Sequence, residues 1–278
     1  MVNKKETYYI NGGGGIRIYV EESGNRNGRP LLFIHGYNQC GFCWSKQIDS
    51  DLANDFRIVI MDLRGHGLSD KPENAYGDSN LWADDIHSVI TTLNLEKPVL
   101  IGWSYGGLVI SDYLRVYGDQ EISGVNFVGA ISRVGVNETA TEIGSEFLSY
   151  VKGMFSNDFA ENIDSTKKFL RLCTYEEIPI EDFYYFLGFN SIVPVYVRQG
   201  LFSRSIESDS ILASLTKPLL LTHGIEDQIV LPIASEHHKE ICPTAKLSLY
   251  EKVGHNPFWE APERFNSELR QFALSLES

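Results

Sequence analysis

The sequence predicts an α/β protein whose mainly parallel sheet is covered by helices on both faces. Short apolar segments typical of buried strands alternate along the chain with longer segments whose apolar residues recur at helical spacing. The chain has 278 residues, of which 43% are hydrophobic and 22% charged, and this suits one large domain with a full core. The alternation therefore predicts an α/β protein rather than one in which strands and helices form separate blocks.

Eight strands are predicted. The first two form an antiparallel hairpin whose turn contains the glycines 12–15. These glycines lack the spacing of a phosphate-binding loop and open no helix, so we interpret them as a flexible turn. The strands are expected at Thr7–Ile10, Ile16–Val20, Leu31–Ile34, Arg57–Met61, Val99–Ile101, Val125–Val128, Leu219–Thr222 and Lys246–Tyr250. Helical patterns include Leu81–Leu93 and Ala261–Leu276.

Residues 131–212 interrupt this alternation, because they contain no clear strand although a simple crossover needs only about a dozen residues. The segment is rich in Phe, Tyr and Leu, and we expect three or four helices rather than a structureless loop. Most of its aromatic side chains are expected to form the segment's own core. These residues include Phe147, Tyr150, Phe155, Phe159, Phe169, Leu170, Phe183, Tyr184, Tyr185, Phe186 and Phe189.

A G-x-S-x-G pattern places Ser104 between a predicted strand and a predicted helix, Gly107–Leu114. Such a strand–turn–helix context holds the serine with strained backbone dihedrals, and the flanking glycines let strand and helix pass close together. The hydroxyl then lies at a helix N-terminus, where developing negative charge is favoured. The pattern indicates a nucleophile.

A serine nucleophile needs a base and an acid further along the chain. Asp227 follows the predicted strand Leu219–Thr222, and His255 follows Lys246–Tyr250. The resulting order, Ser104 then Asp227 then His255, is the order of the triad on the α/β-hydrolase sheet.

Other segments carry the same resemblance: residues 32–37 (LFIHGY), 62–70 (DLRGHGLSD) and 254–263 (GHNPFWEAPE). The chain resembles α/β-hydrolases of the group that includes cofactor-free haloperoxidases, small esterases and acyl-homoserine-lactone hydrolases. The resemblance implies an α/β-hydrolase fold with an eight-stranded, mainly parallel sheet and a helical cap inserted after strand 6. Residues 1–130 and 213–278 would form the core domain, and residues 131–212, which match no motif of the family, would form the cap. The cap would cover the active site, and its aromatic inner face would line an apolar acyl pocket.

The resemblance also implies a role for each matching residue. Ser104 is the expected nucleophile, His255 the general base and then acid, and Asp227 the group that orients the imidazole. Glu226 competes with Asp227 for that role, but it falls one residue short of the family spacing between Gly224 and the acid.

The resemblance further implies two main-chain donors for the oxyanion, the N–H groups of Tyr37 and Tyr105. The expected substrate-binding side chains are Trp103 and Phe258. His223 ends a strand near Asp227, and we expect it to contact the site. We expect His87, His237 and His238 at the surface.

The implied activity is hydrolysis of a carboxylic ester or lactone of a small, apolar substrate through an acyl-enzyme. An acyl-homoserine lactonase, a perhydrolase and a C–C bond hydrolase use the same three residues and remain alternatives. Dehalogenases and epoxide hydrolases are disfavoured because they carry Asp where this chain has Ser104. A receptor or scaffold with this fold is the non-enzymatic alternative, although such proteins usually lose a triad residue.

The composition limits the classes of binding partner and the location that we expect. The net charge is −13 and no basic stripe is present, which argues against nucleic acid and against anionic membrane surfaces. No apolar run is long enough to cross a membrane, and the start of the chain has no apolar segment like that of a signal peptide, so we expect a cytoplasmic protein. Its four cysteines are expected to be reduced thiols. We predict no metal and no cofactor, and the oligomeric state stays open.

Overall fold

The computed structural model describes residues 5–277, and it contains the predicted eight-stranded sheet. Residues 1–4, which enter the expectation that no signal peptide is present, lie outside the described part. The strands are β1 Glu6–Asn11, β2 Arg17–Gly24, β3 Pro30–Ile34, β4 Arg57–Met61, β5 Val99–Trp103, β6 Gly124–Val128, β7 Leu219–Gly224 and β8 Lys246–Tyr250.

The helices lie between and after these strands. They are α1 Ser45–Ile48, α2 Leu52–Asp55, α3 Ser79–Thr92, α4 Gly106–Tyr117, α5 Ser145–Met154, α6 Phe159–Leu172, α7 Ile180–Ser191, α8 Val195–Phe202, α9 Asp209–Ala213, α10 Ile233–Ile241, α11 Pro257–Glu260 and α12 Pro262–Ser275. Short 3₁₀ turns occupy Gly13–Gly15, Gly41–Trp44 and Asn137–Thr141.

The sheet has the strand order β1-β2-β4-β3-β5-β6-β7-β8. The pairs β1–β2 and β2–β4 are antiparallel, whereas all pairs from β4 to β8 are parallel. Every residue of β3, β5, β6 and β7 is buried, as expected for parallel strands with helices on both faces. The carboxyl ends of the parallel strands therefore share one edge, where ligands bind in open α/β sheets.

The glycine turn of the first hairpin is bonded to the core rather than free. Gly13 N–H donates to Asp85 Oδ1 at 2.9 Å, and the Arg64 guanidinium donates to the Gly13 carbonyl at 3.0 Å. Arg64 and Asp85 form a fully buried ion pair at 2.7 Å. The interpretation as a flexible turn missed this contact, because α3, which carries Asp85, lies far away in sequence.

The chain between β6 and β7 is helical, as predicted. It contains α5 to α8, each of eight residues or more, and the shorter α9, which ends one residue beyond the predicted boundary at 212. The division into a core domain and a cap stays a prediction. Within residues 5–277 no helix is both long and apolar enough to cross a membrane.

Candidate active site

Four loops at the carboxyl edge of the sheet carry the residues singled out from the sequence. Tyr37 follows β3, Ser104 and Tyr105 follow β5, Asp227 follows β7, and His255 follows β8. Because β3, β5, β7 and β8 run parallel, these loops leave the sheet on the same side. Residues that are far apart in sequence therefore meet at this edge.

The turn that holds Ser104 has the predicted strained geometry. Ser104 has φ +54°, a region that non-glycine residues rarely occupy. Its N–H donates to the Val128 carbonyl at 2.9 Å, and its own carbonyl accepts from Gly107 N–H at 3.0 Å. A Cβ on Gly106 would lie 2.6 Å from the Ile34 carbonyl oxygen, so this position needs glycine for β3 and α4 to approach. The surrounding hydrogen bonds hold the strained residue in place.

Asp227 and His255 form a buried pair. His255 Nδ1 lies 2.7 Å from Asp227 Oδ2, and because an ionised carboxylate only accepts hydrogen bonds, Nδ1 donates. In a neutral imidazole this leaves Nε2 as the nitrogen that can accept a proton. Glu226 instead accepts from Val253 N–H at 3.0 Å. The Ser104 hydroxyl forms no hydrogen bond with the described residues; nucleophile–base bonds commonly shorten only when substrate binds.

The Asp227 carboxylate has partners on both oxygens. Oδ1 accepts from Ile229 N–H at 2.8 Å and from Val230 N–H at 3.0 Å, and Oδ2 lies 3.2 Å from His223 Nε2. Burial alone would raise the pKa of Asp227, but the charges and hydrogen bonds of His255 and His223 outweigh it and hold the pKa at about 2. Asp227 is therefore ionised at neutral pH. The expected contact of His223 with the site is present.

A cavity of about 260 Å³ opens beside Ser104 and His255. One side, which we call the strand-edge wall, consists of its lining residues at 36–39, 103–105, 229–230 and 255. The other side, the helical wall, consists of its lining residues at 131–148, 169 and 201–202. Of the aromatic residues that were candidates for an inner face, Phe147 and Phe169 line the cavity. By contrast, Phe159 is 78% exposed.

The two main-chain donors predicted for the oxyanion are free. Among residues 5–277, neither the Tyr37 nor the Tyr105 N–H donates to another group. Tyr105 immediately precedes α4, so its N–H lies at the positive end of that helix. Both tyrosines line the cavity that contains Ser104. Free N–H groups beside a nucleophile are what stabilisation of a tetrahedral oxyanion requires.

Residues 29–262 match the family model of the alpha/beta hydrolase fold. The chain belongs to this family. An esterase, RhEst1, from Rhodococcus sp. ECU1013 is 36% identical, with 100% of both chains covered and a TM-score of 0.91. Two further relatives are the non-heme chloroperoxidase of Streptomyces lividans, 27% identical over 94% of this chain and 97% of that protein, and the bifunctional esterase/perhydrolase DCH of Acinetobacter calcoaceticus, 25% identical over 96% and 99%. The resemblance predicted from the motifs and the α/β-hydrolase fold are confirmed.

In this α/β hydrolase both main-chain groups of His255, the N–H and the carbonyl, form hydrogen bonds. Its N–H donates to the Cys173 carbonyl at 3.0 Å, and its carbonyl accepts from Trp103 Nε1 at 2.9 Å. Together with the contact to Asp227, these bonds restrain both the main chain and the ring of the histidine. Cys173 directly follows α6, so the chain between β6 and β7 takes part in holding the loop.

Glu260 anchors the same loop and was not among the predicted site residues. Its Oε1 accepts from Gly254 N–H at 3.0 Å and from Asn256 N–H at 3.3 Å, and Oε2 accepts from Tyr175 N–H at 2.7 Å. Burial raises the pKa of Glu260 to about 7, an effect that the three N–H donors oppose and the charge of Asp227 reinforces. Its place in the 254–263 motif was a signal that could have identified it.

Gly129 was also missed. It has φ +48°, and a Cβ there would lie 3.1 Å from Asp227 Oδ2 and 3.3 Å from His255 Nδ1. A side chain at this position would crowd the Asp227–His255 pair. The glycine directly follows β6, but nothing in the local sequence links it to the site.

The two predicted substrate-binding side chains lie in different places. Trp103 lines the cavity. Phe258 does not: it is fully buried behind Trp103, with ring centroids 4.8 Å apart, and packs on Trp44 at 4.2 Å. This prediction was wrong because α11 begins at Pro257 and directs Phe258 into the core.

His238, expected at the surface, is also buried and lies 2.8 Å from the Ser132 hydroxyl. All four cysteines are free and buried. Within residues 5–277, no group of three or more His, Cys, Asp or Glu side chains is arranged to hold a metal ion.

Proposed function

We propose that this α/β hydrolase is a serine hydrolase that cleaves carboxylic esters or lactones of small, largely apolar substrates. The observation that carries the proposal is the meeting of Ser104, the Asp227–His255 pair and two free N–H groups at one cavity. The esterase name of the 36% identical relative supports the reaction class. The apolar side chains of the helical wall support an apolar acyl group.

The proposed mechanism is acyl transfer in two steps. Ser104 Oγ attacks the carbonyl carbon while His255 Nε2 takes the hydroxyl proton, and the N–H groups of Tyr37 and Tyr105 stabilise the oxyanion. The tetrahedral species collapses, and His255 returns the proton to the leaving alcohol. Water, deprotonated by the same histidine, then attacks the acyl-enzyme and releases the acid. Asp227 keeps the imidazole oriented and stabilises its charged form.

We further propose that residues 131–212 act as a cap over the site. Several of them line the cavity, including Phe147, Phe169 and Phe202. Aromatic rings that line the cavity beside Ser104 would exclude water, which strengthens the electrostatic interactions of the transition state.

Perhydrolysis is a second candidate, favoured by the 25% identical relative that is a bifunctional esterase/perhydrolase. Hydrogen peroxide would replace water in the second step and release a peracid. Measuring peracid formation from an ester in the presence of hydrogen peroxide, beside hydrolysis without it, gives the ratio of the two activities. A peracid yield no greater than in the enzyme-free control would exclude this candidate.

The Ser104→Ala variant tests the proposal. Loss of the nucleophile should lower kcat for a short p-nitrophenyl ester on the order of a million-fold, and a phosphonofluoridate probe should label wild type but not the variant. Ser111→Ala is the matched control, because Ser111 is a buried serine of α4 whose hydroxyl bonds to the Gly107 carbonyl. Undiminished hydrolysis by Ser104→Ala would overturn the proposal. A folded wild type that does not react with the probe would favour a receptor or scaffold.

A further inference from the structure

Three buried amide side chains connect α7 to the loop after β3. Asn190 of α7 accepts a hydrogen bond from Asn38 Nδ2 on its Oδ1 at 2.8 Å. Its Nδ2 donates to the Phe186 carbonyl at 2.8 Å and to Gln39 Oε1 at 3.3 Å. We call Asn38, Gln39 and Asn190 the amide network. It links the segment between β6 and β7 to the loop that carries the Tyr37 N–H.

The loop after β3 lies directly against the expected nucleophile. A Cβ on Gly36 would lie 3.0 Å from Ser104 Cβ and 3.2 Å from the Trp103 carbonyl oxygen. The next residue, Tyr37, lines the cavity, and its N–H donates to no group among the described residues. A small displacement of this loop would therefore change the distance between that N–H and a carbonyl group bound at Ser104.

His35 holds the peptide that contains the Tyr37 N–H from one side. Leu63 N–H donates to His35 Nε2 at 3.0 Å, so the proton of the neutral ring lies on Nδ1. Burial lowers the pKa of His35 well below its usual value, which keeps the ring neutral. Nδ1 donates to the Gly36 carbonyl at 2.8 Å. Because the Gly36 C=O and the Tyr37 N–H belong to one planar trans peptide and point in opposite directions, this bond restrains the direction of the N–H.

The main chain after Tyr37 depends on the amide network. Asn38 has φ +61°, a strained region that asparagine tolerates better than most residues. The hydrogen bond within the turn, from Gln39 N–H to the Gly36 carbonyl, is long at 3.4 Å and contributes little. Asn190 instead holds the side chains of Asn38 and Gln39. Loss of Asn190 would thus release the two side chains that keep the turn in its strained conformation.

Asn190 is itself held by Arg198 of α8. The buried guanidinium donates to the Asn190 carbonyl at 2.8 Å, to the Met154 carbonyl at 3.0 Å and to Asn162 Oδ1 at 2.8 Å. No carboxylate of residues 5–277 pairs with Arg198, so its hydrogen bonds serve to join α5, α6 and α7. Two other buried arginines do pair with carboxylates, Arg64 with Asp85 and Arg204 with Asp112.

We propose that Asn190 is a positioning residue for the oxyanion hole: through Asn38 and Gln39 it holds the Tyr37 N–H towards the carbonyl that Ser104 attacks. The segment between β6 and β7 then completes the catalytic geometry in addition to lining the cavity. This inference rests on the proposed function, because it takes the Tyr37 N–H as an oxyanion donor.

An ester and its thiono analogue measure the use of the oxyanion hole. The attacked carbon of p-nitrophenyl butyrate carries oxygen, whereas that of the thiono analogue carries sulfur, which is a weak hydrogen-bond acceptor. A donor N–H therefore favours the oxygen ester in the transition state. The quantity of interest is the ratio of kcat/KM for the oxygen ester to kcat/KM for the thiono ester, with both reactions followed by p-nitrophenol release. Comparing this ratio between variants cancels the intrinsic reactivities of the two esters.

Asn190→Ala should lower the ratio about ten-fold, because complete removal of an oxyanion donor costs about 10²–10³ in kcat and displacement loses part of that. The loss for the oxygen ester should be in kcat rather than in KM, since the interaction forms only in the transition state. Asn38→Gly should lower the ratio about two- to five-fold, the size expected for one neutral hydrogen bond. Glycine adopts φ +61° without strain, so this variant should fold like wild type.

Asn162→Ala is the matched control. Asn162 is a partly buried amide of α6 that bonds to Arg198 and to the carbonyls of Met154 and Ser156, and it forms no hydrogen bond with residues 36–39. Its replacement should lower the stability of the protein and leave the ratio unchanged.

An unchanged ratio in both Asn190→Ala and Asn38→Gly, with p-nitrophenyl butyrate still hydrolysed, would overturn this inference and leave the proposed function intact. If Asn190→Ala does not fold, Asn38→Gly alone decides. An equal fall in Asn162→Ala would also overturn the inference, because general loosening of the helices would then explain the effect. A wild type that hydrolyses neither ester would overturn the proposed function as well.

Discussion

The two walls of the cavity are built in opposite ways. Beside the strand-edge wall, the short loops that carry Asp227 and His255 are held by hydrogen bonds from the main chain, and their positions follow from the parallel strands that they extend. The helical wall instead presents apolar side chains from a long segment between β6 and β7, including Phe147 and Phe202.

This difference separates the reaction from its selectivity. Main-chain hydrogen bonds in short loops position atoms closely, which catalysis requires. Apolar packing is less directional, so it can change in shape without disturbing those bonds. We therefore expect substitutions in the hydrogen-bonded loops of Asp227 and His255 to alter kcat and substitutions of the apolar side chains of the helical wall to alter substrate preference.

The largest expected effect concerns the Asp227–His255 pair beside the strand-edge wall. Asp227→Asn should lower kcat about 10⁴-fold, the loss known for the same change in another serine hydrolase, because the amide favours the wrong histidine tautomer. Steady-state hydrolysis of a p-nitrophenyl ester measures it. Glu226→Gln, the neighbouring carboxylate, should stay close to wild type. The reverse outcome for these two variants would reassign the acid to Glu226.

Buried charges around the helical wall give the next largest effect. Arg204→Met leaves Asp112 buried without its cation and should reduce the free energy of unfolding by about 3–5 kcal/mol. Arg198→Met removes a charge that has no carboxylate partner within residues 5–277 and should cost less, about 1–2 kcal/mol for the hydrogen bonds lost. Urea denaturation at pH 7 compares the two. A larger loss for Arg198→Met would contradict our view that this arginine is unpaired.

Glu260 joins the His255 loop to the chain between β6 and β7, and the effect of replacing it depends on pH. Its pKa is about 7 in the folded protein against a reference of 4.5, so between these values the folded state holds a proton that the unfolded state has lost. Stability relative to Glu260→Gln should therefore fall as the pH rises from 4.5 to 7, by at most about 3 kcal/mol, and stay level above 7. Denaturation of both proteins across this range measures the difference. A constant difference would show that Glu260 does not titrate there.

The smallest effect should come from the helical wall itself. Phe147→Ala enlarges the cavity and should raise the kcat/KM for an octanoate ester relative to a butyrate ester about ten-fold. Phe186→Ala, a buried phenylalanine that packs on Trp259 outside the cavity, is the matched control. It should destabilise the protein without shifting the chain-length ratio. An equal shift in both variants would mean that Phe147 acts through general loosening of the fold.

The strands and the site loops could be predicted because their signals are local. An apolar run identifies β5, and the residues after it identify the turn at Ser104 without any knowledge of the rest of the chain. Asp227 and His255 could be found in the same way, since each follows a recognisable strand.

The missed features depend on contacts between distant segments. The hydrogen bond between the side chains of Gln39 and Asn190 joins residues 151 positions apart, and no local sequence pattern predicts it. Helical periodicity in 131–212 indicates that an inner face exists but not which aromatic residues meet the cavity. Phe258 was placed wrongly for a related reason: its motif was recognised, but the short helix that directs it into the core was not.

The hydrogen bonds from His255 N–H to the Cys173 carbonyl and from Tyr175 N–H to Glu260 have a consequence for building chimaeras. Exchanging all of the chain between β6 and β7 with that of another esterase would discard the partners that brace the histidine loop. A graft that keeps residues 173–175 and replaces the helices on either side would preserve them. Residues 173–175 would thus act as a splice point, around which the helices that line the cavity can be exchanged while the histidine loop keeps its partners.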